Sequence, residues 1–552
     1  MYRYDDLDQA IIEQRVAEFR DQTRRFLAGQ LGDEEFKSLR LRNGLYLQRH
    51  APMLRISIPY GLLSSRQLRK LGEIATRYDR GYAHFTTRTN LQLNWPKLPE
   101  VPDILAELAT VQMHAIQTSG NAVRNVTADH MAGIVKGEID DPRPYCEIIR
   151  QWAAFHPEFT YLPRKFKFAV TGSEFDRAAS LVHDVGLHLT RDAHGNLGFQ
   201  VFVGGGLGRQ PIIAPLIREF LPLPDLLSYC EAILRVYNRH GRRDNIHKAR
   251  IKVLVKALGP DRFREEVEAE WRASRAAAPL LDAAEIERVR SHFIPLAYEE
   301  LPDFAAAAGR EVQFQAWYRY NTREHKMPGY RAAYVCLKAH GQNPGDMTSQ
   351  QMEAVASLAD RFSFGLIRAT HNQNLLLADV RQSDLYELWS ELRPLQLAMP
   401  NIGTLTDLIA CPGLDLCSLA NAETFSVVKQ IQQRFDDLDY LYDLGDIEIK
   451  MSGCMNGCGH HHVGHIGILG VEKHGESWYQ ITLGGSVNGY TTALGEVIGP
   501  SVPLNDVAPT VERIVETYRT VREDGEQFID TFRRVGIQRF KESAYASHPA
   551  AA

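Results

Sequence analysis

Four cysteines in two close pairs carry the strongest chemical signal in this chain. Cys411 and Cys417 form C-x5-C, Cys454 and Cys458 form C-x3-C, and glycines accompany both pairs. Thiolates are soft ligands that select zinc, copper(I) or iron–sulfur centres. Zinc sites favour pairs separated by about two to four residues, so the wider pair is unusual for zinc. A cubane cluster takes four thiolates at less regular spacings, on loops where glycine lets the backbone approach closely. Spacing alone leaves open an iron–sulfur cluster, a zinc site and unligated core cysteines.

Cationic side chains are the second signal. In the segment L-P-R-K-F-K-F-A-V, residues 162–170, Lys165 and Lys167 alternate with Phe166 and Phe168. A strand would put the lysines on one face and the rings behind. The plain alternative is a solvated edge whose lysines discourage pairing with other chains. Arg55 lies in an otherwise apolar strand pattern, M-L-R-I-S-I-P. An unpaired charge there would be costly, so Arg55 needs a partner, and a bound anion is one. The run Gly204-Gly205-Gly206-Leu207-Gly208 lacks the spacing of a dinucleotide loop. His460, His461, His462 and His465 follow the last cysteine; a metal site and supporting or exposed imidazoles are both open readings.

Taken together, these segments resemble the sulfite and nitrite reductase hemoprotein family. Its A-C-x5-C-x-L-A-x-A-E signature is matched over 410–423, and its G-C-x-N-G-C run over 453–458. The family's P-R-K-F-K segment is matched residue by residue over 163–167. The run T-T-R-T-N-L-Q, 86–92, resembles its T-x-R-Q-x-x-Q siroheme segment, with Thr89 replacing glutamine. The resemblance implies siroheme joined to a [4Fe-4S] cluster, with Cys411, Cys417, Cys454 and Cys458 as cluster ligands and Cys458 shared with the haem. It implies Arg88, Gln92, Asn125 and Arg164 as siroheme contacts, and Arg55, Arg124, Lys165 and Lys167 around the substrate anion. Some relatives cross-link a cysteine at the place of Ser119 to a tyrosine, which Ser119 cannot do.

The implied reaction is six-electron reduction of sulfite to sulfide, as in assimilatory sulfite reductase. Arginines would anchor the anion, and lysines with water would deliver protons. Nitrite reduction to ammonia is the chemical alternative, with a monooxygenase-like step of cobalamin synthesis more distant. A non-catalytic zinc or iron–sulfur protein is the alternative of another class. No flavin or nicotinamide segment is evident, so a separate donor, ferredoxin or a flavoprotein subunit, is expected.

Composition agrees with a soluble enzyme. The chain has 552 residues, 44% apolar content and a formal charge of −5, so nothing points to nucleic acid. No apolar run reaches membrane-spanning length, and the start lacks a secretory pattern, so the cytoplasm is expected. Cys146, Cys230 and Cys336 are scattered, which argues against a disulfide framework.

The elements that must hold these residues come from an internal duplication. Residues 67–91 align without gaps on 351–375, and 198–206 echo 478–486. Near Cys454, Ser173 stands at the matching place in the first half. Each unit reads helix then strand, which predicts an α+β fold rather than a doubly wound sheet. With the resemblance, this gives a pseudo-twofold module: paired ferredoxin-like half-domains at 51–116 and 304–395 (with a linker), a first siroheme-binding α/β domain at 117–303, and an iron–sulfur/siroheme domain at 396–552. Residues 1–50 form an N-terminal helical extension, with a stripe at Ile12, Val16, Phe19, Thr23 and Phe26 and a stop at Gly29. The weakly patterned 272–308 stretch is expected to link the halves. The tail over 507–540 is predicted to be helical, on Val511, Ile514, Tyr518 and Val521, before a frayed end at 543–552.

Overall fold

The computed structural model describes residues 1–276, 280–293, 296–487 and 491–546. The helices Ser65–Tyr78 and Ser349–Phe362 show how the duplication is written locally. Each opens on a capping box: Ser64 and Gln67 exchange side-chain–backbone hydrogen bonds of 3.2 and 3.0 Å, and Thr348 and Gln351 do so at 3.2 and 2.9 Å. The two helices pack together at Gly72, where a Cβ would stand 3.2 Å from the Ser349 carbonyl.

Each half lends a strand to the other. One five-stranded sheet runs Leu45–Leu47, Pro52–Ile56, Leu91–Leu93, Tyr82–Phe85 and then Asp346–Thr348 from the second half. Its counterpart runs Thr322–Glu324, Tyr330–Val335, Leu375–Arg381, Leu366–Ala369 and then Leu62–Ser64 from the first. A continuous apolar core, from Phe19 of the N-terminal helix to Trp389, fills the space between these sheets and their helices.

The other two sheets also match. Thr127–Ala128, Phe168–Thr171 and Val185–Arg191 are parallel neighbours, followed by antiparallel Leu197–Val203 and Leu216–Pro222. Ile409–Ala410, Ile449–Ser452 and Ile466–Lys473 repeat that order before antiparallel Glu476–Leu483. Registers fix the correspondence: Thr127 faces Ala169 as Ile409 faces Lys450. The architecture is the α+β duplication expected.

Several local expectations are corrected. The lysine segment is not one long strand: regular pairing begins at Phe168, and before it Phe166 makes only an isolated bridge to Val123. The Phe166 N–H donates to the Ala122 carbonyl at 3.1 Å and its carbonyl accepts from the Arg124 N–H at 2.8 Å, so this stretch pairs with a loop rather than with a strand. Residues 272–308 are not unpatterned throughout, since Ala283–Arg290 is a helix behind an Asp282 cap. The C-terminal stretch is three helices, Leu504–Val521, Phe528–Val535 and Ile537–Ala544, with Gly525 and Gly536 at positive φ between them. The expected fraying falls mostly at 547–552, outside the described residues. No helix among the described residues is long and apolar enough to cross a membrane.

One buried ion pair fastens the second half-domain to the cluster-bearing sheet. Lys338 Nζ lies 2.6 Å from Asp407 Oδ1, and Asn374 donates to the same oxygen at 2.9 Å. Removing the carboxylate leaves a buried ammonium unpaired, at a cost of about 3–5 kcal/mol. Asp407→Ala is therefore expected to lower the unfolding midpoint markedly in a denaturant titration. A variant as stable as wild type would show that Lys338 finds another partner.

Candidate active site

The four cysteines arrive on two loops that follow neighbouring parallel strands. Cys411 follows Ile409–Ala410, and Cys454 follows Ile449–Ser452 after Gly453. The loops touch where side chains are absent: a Cβ on Gly453 would stand 2.7 Å from Gly413 Cα and 2.8 Å from the Ala422 carbonyl. The Gly453 N–H donates to Cys411 Sγ at 3.3 Å, and the Leu419 N–H to Cys417 Sγ at 3.4 Å. Burial pushes the Cys411 thiol up to about 12, and Cys458 adds to it, against the pull of the Gly453 and Gly413 amides. Burial and then Cys458 also raise Cys417; at Cys454, Cys458 and Cys417 add to burial. The thiols therefore share one neighbourhood, with Cys458 common to the other three.

The donor set fits a cluster better than a lone ion. Among the described residues, no three His, Cys, Asp or Glu side chains are arranged to hold a single metal ion. A cluster of several irons spreads its thiolates further apart than one zinc does. Cys458 is the exposed member of the four and the one whose charge is also felt by Lys165. The three scattered cysteines, Cys146, Cys230 and Cys336, are free and buried elsewhere.

Four cations with no carboxylate of their own face the same space. Arg55 pairs in register with Gln92, whose Oε1 accepts from Nε at 3.0 Å and Nη2 at 2.7 Å. Its Nη1 donates to the Thr118 carbonyl at 3.3 Å. Arg124 donates to the same carbonyl at 2.8 Å, and twice to the Gly120 carbonyl, at 3.2 and 2.8 Å. Neutral acceptors thus hold both guanidiniums rigidly and leave their charge uncompensated. Gln92, expected as a siroheme contact, serves Arg55 in this way.

Lys165 and Lys167 make no hydrogen bond or ion pair with any described residue. Burial, then Arg124 and Arg250, pull the Lys165 ammonium down to about 8, while Cys458 and Tyr46 act the other way. Lys167 is held well below the ordinary lysine range by burial, Arg88, Lys165 and Arg250, with Asp184 opposing. That aspartate is bound to Arg250, 2.6 Å away, so it offers the lysines little relief. A pocket that discourages its own protons is one that an anion would recharge.

The remaining expected contacts surround this space. Arg88 donates to the Asn125 carbonyl at 2.5 Å, while its buried Nη1 has no partner. Burial, Arg124 and Arg250 bring its proton affinity down to about 9. Asn125 gives its amide hydrogens to Ile58 and Asn90, each at 2.9 Å, and its Oδ1 is left without a donor. Arg164 is half-buried, and its proton affinity is lowered by burial and Arg250. His460 is buried at φ 60°, where Lys167 and Arg88 bear on it. His461 and His462 each keep a buried Nδ1 unpartnered, and His465 accepts from the Glu448 N–H at 3.2 Å. Among the described residues the histidines do not gather as a metal site. Tyr46 and Asp184 were not expected from the sequence. Arg250 lies in the basic run N-I-H-K-A-R-I-K, 245–252, which the family resemblance associates with siroheme carboxylates and composition alone with a solvated face.

The matching positions in the other half carry different residues. By register, Asp129 and Arg177 stand where the second half has Cys411 and Cys458, and they form an ion pair at 2.9 Å. Asp446 and Glu448 stand where the first half has Lys165 and Lys167, and Glu448 is tied to Lys450 at 2.7 Å. The duplicated frame thus carries unpaired cations in one half and mutually paired charges at two of the matching positions in the other.

Comparison with known proteins points the same way. The model of the nitrite and sulphite reductase 4Fe-4S domain matches residues 119–274 and 403–549. That of the nitrite/sulfite reductase ferredoxin-like half domain matches 46–111 and 326–395. A protein named sulfite reductase (ferredoxin) 1, from Mycolicibacterium paratuberculosis, is 28% identical over 86% of this chain and 81% of its own length. The chloroplastic ferredoxin–nitrite reductase of Arabidopsis thaliana is 27% identical over 84% of this chain and 75% of its own. The solved structure of Mycobacterium tuberculosis NirA superposes with a TM-score of 0.76 at 26% identity, covering 93% of this chain and 92% of that one.

Proposed function

The chain belongs to the nitrite and sulphite reductase family, an oxidoreductase family whose members carry siroheme and a [4Fe-4S] cluster, and on that premise we propose that it reduces sulfite to sulfide. Cys411, Cys417, Cys454 and Cys458 would hold the cluster, with Cys458 also the haem ligand. Arg88 has a buried free donor suited to a siroheme carboxylate, and Arg164, which feels the charge of Arg250, would share that role. When bound, the two cofactors would relay the donor's electrons and supply the iron at which the anion is reduced.

The observation that carries the choice of sulfite is the pair of unpartnered ammoniums, Lys165 and Lys167, beside Arg55 and Arg124. Two guanidiniums orient the oxygens; two ammoniums add charge and hold transferable protons. Such a pocket suits an anion with up to two charges and three oxygens. Lys165, brought down to about 8, is a better proton donor than an ordinary lysine. A second reading, nitrite reduction, is favoured by the depressed proton affinity of Lys167, since a neutral amine there suits a singly charged anion. The relatives' names support ferredoxin as donor, and the free buried thiols suit a reducing cytoplasm.

Steady-state rates with both anions, using a chemically reduced dye as donor, test the reading. We expect kcat/KM for sulfite to exceed that for nitrite. Efficient nitrite turnover with negligible sulfite turnover would replace the first reading by the second.

A further inference from the structure

The turns 86–90 and 370–374 are copies of one another in the duplication, and both hold a residue in the left-handed region at the same place. Thr89 has φ 54° and Gln373 has φ 59°. Glycine enters that region freely and other side chains at a cost. A glutamine kept there, and only 1% exposed, calls for a use. The first turn carries the siroheme-like run with Arg88; the second has Asn372 in that arginine's place.

The Gln373 amide is engaged by the strand that leads into Cys411. Ile409–Ala410 is the end strand of its sheet. One side of it pairs with Ile449–Ser452, and beyond it the Cys411 N–H donates to the Met451 carbonyl at 3.3 Å. On the open side, Gln373 Oε1 accepts from the Ala410 N–H at 3.0 Å, in the place of a further strand. The first turn holds the other end of the cysteine set in a similar way, since Thr87 Oγ1 donates to the Cys458 carbonyl at 2.7 Å.

The strand exchanged between the halves fixes which way that amide points. Asp346 lies opposite His84 in register, and its carboxylate is 2.8 Å from His84 Nδ1. A carboxylate accepts, which places a ring hydrogen on Nδ1 and leaves Nε2 to accept from Gln373 Nε2 at 3.2 Å. The second amide hydrogen goes to the Phe85 carbonyl at 3.1 Å. Only the amide oxygen remains for Ala410, and a flipped amide would set a donor against that N–H.

We propose that Gln373 is a positioning residue of the metal centre: it clamps the Ala410 N–H and so sets where the Cys411 thiolate stands. This rests on the reading of Cys411 as a cluster ligand. Cys411 Sγ accepts from the Gly453 N–H at 3.3 Å, across the seam between the two cysteine loops. Hydrogen bonds to the sulfurs help to set a cluster's potential, a donor favouring the more negative, reduced form. Once Ala410 is released, Cys411 can leave that donor, and the potential falls. The loop also opens more often, and opening is the step that exposes a cluster to loss.

Two readouts on the holoenzyme, neither of them turnover, make the test. Gln373→Leu keeps much of the volume and removes the amide. The cluster's midpoint potential, followed by electron paramagnetic resonance during a redox titration, should become more negative. Labile sulfide should be lost in air about five- to tenfold faster, the effect of one neutral hydrogen bond on the open fraction of the loop. His84→Leu leaves Gln373 its bonds to Phe85 and Ala410, so it should give a smaller shift of the same sign. Gln67→Leu is the control: Gln67 is another buried glutamine, bonded to Ser64 and Val111 in the first half-domain. Its loss should weaken packing and leave both readouts at their wild-type values.

A wild-type midpoint or a wild-type rate of sulfide loss in Gln373→Leu would overturn the proposal, as would equal shifts in Gln67→Leu. If Gln373→Leu cannot be isolated with its cluster, His84→Leu decides, and a wild-type midpoint there overturns it. Wild type devoid of labile sulfide would instead refute the ligand reading of the four cysteines.

Discussion

The Cys458→Ser protein is expected to lose the electronic coupling between haem and cluster, and with it essentially all activity. A serine hydroxyl fills nearly the same volume, so folding is little affected. It is a hard, protonated oxygen at neutral pH, however, and does not replace a thiolate toward iron. Cys458 is the thiol whose charge reaches Cys411, Cys417, Cys454 and Lys165 alike. Losing a ligand shared by two cofactors should exceed the roughly 10–100-fold effect of changing outer partners at a metal site. Absorption spectroscopy with iron and acid-labile sulfide analysis makes the check. Wild type should contain more iron than labile sulfide, the excess being the haem iron. Cys146→Ala, Cys230→Ala and Cys336→Ala should keep both cofactors and lose only packing energy, since all three thiols are fully buried apart from the centre. If Cys458→Ser retained the spectrum and the activity of wild type, the shared-ligand assignment would be wrong.

Much of the centre was legible because its chemistry is unusual for its surroundings. Four cysteines near glycines, and an arginine within an apolar strand, conflict with ordinary core building. The duplication was legible as well, and it located Ser173 opposite Cys454. What replaced the other cysteines was not legible, because Asp129 and Arg177 become equivalent to Cys411 and Cys458 only once strand registers are known. The exchange of Leu62–Ser64 and Asp346–Thr348 between halves was hidden for a related reason. Three-residue strands carry no readable period, and their partners are chosen by tertiary packing. Tyr46 was missed because it belongs to no motif; its neighbours come from residues 55, 119, 124 and 165, which only the fold brings together.

Lys167→Asn is expected to shift the enzyme away from sulfite toward nitrite. Family members share the arginines and the first lysine, while the second position is lysine in sulfite reducers and often asparagine in nitrite reducers. In this structure Lys167 has no partner among the described residues, and Arg88 and Lys165 push against its proton. An incoming anion reverses that balance: its charge favours the ammonium, so binding sulfite and protonating Lys167 reinforce each other. A hydrogen bond involving a charged group in such a site is worth about 1.5–3 kcal/mol, or about ten- to a hundredfold in selectivity. Asparagine keeps a donor for an anion oxygen but supplies no charge, and it has no ammonium proton to give. Sulfite, with the greater charge and the additional oxygen, loses more from the exchange than nitrite does. The measurement is kcat/KM for both anions on wild type and variant, with siroheme absorption confirming equal cofactor content. The expected result is a fall of about ten- to a hundredfold in the sulfite-to-nitrite ratio. Equal losses for both anions would mean that Lys167 serves the reaction without choosing the substrate, and the case for sulfite would then lose the residue on which it stands.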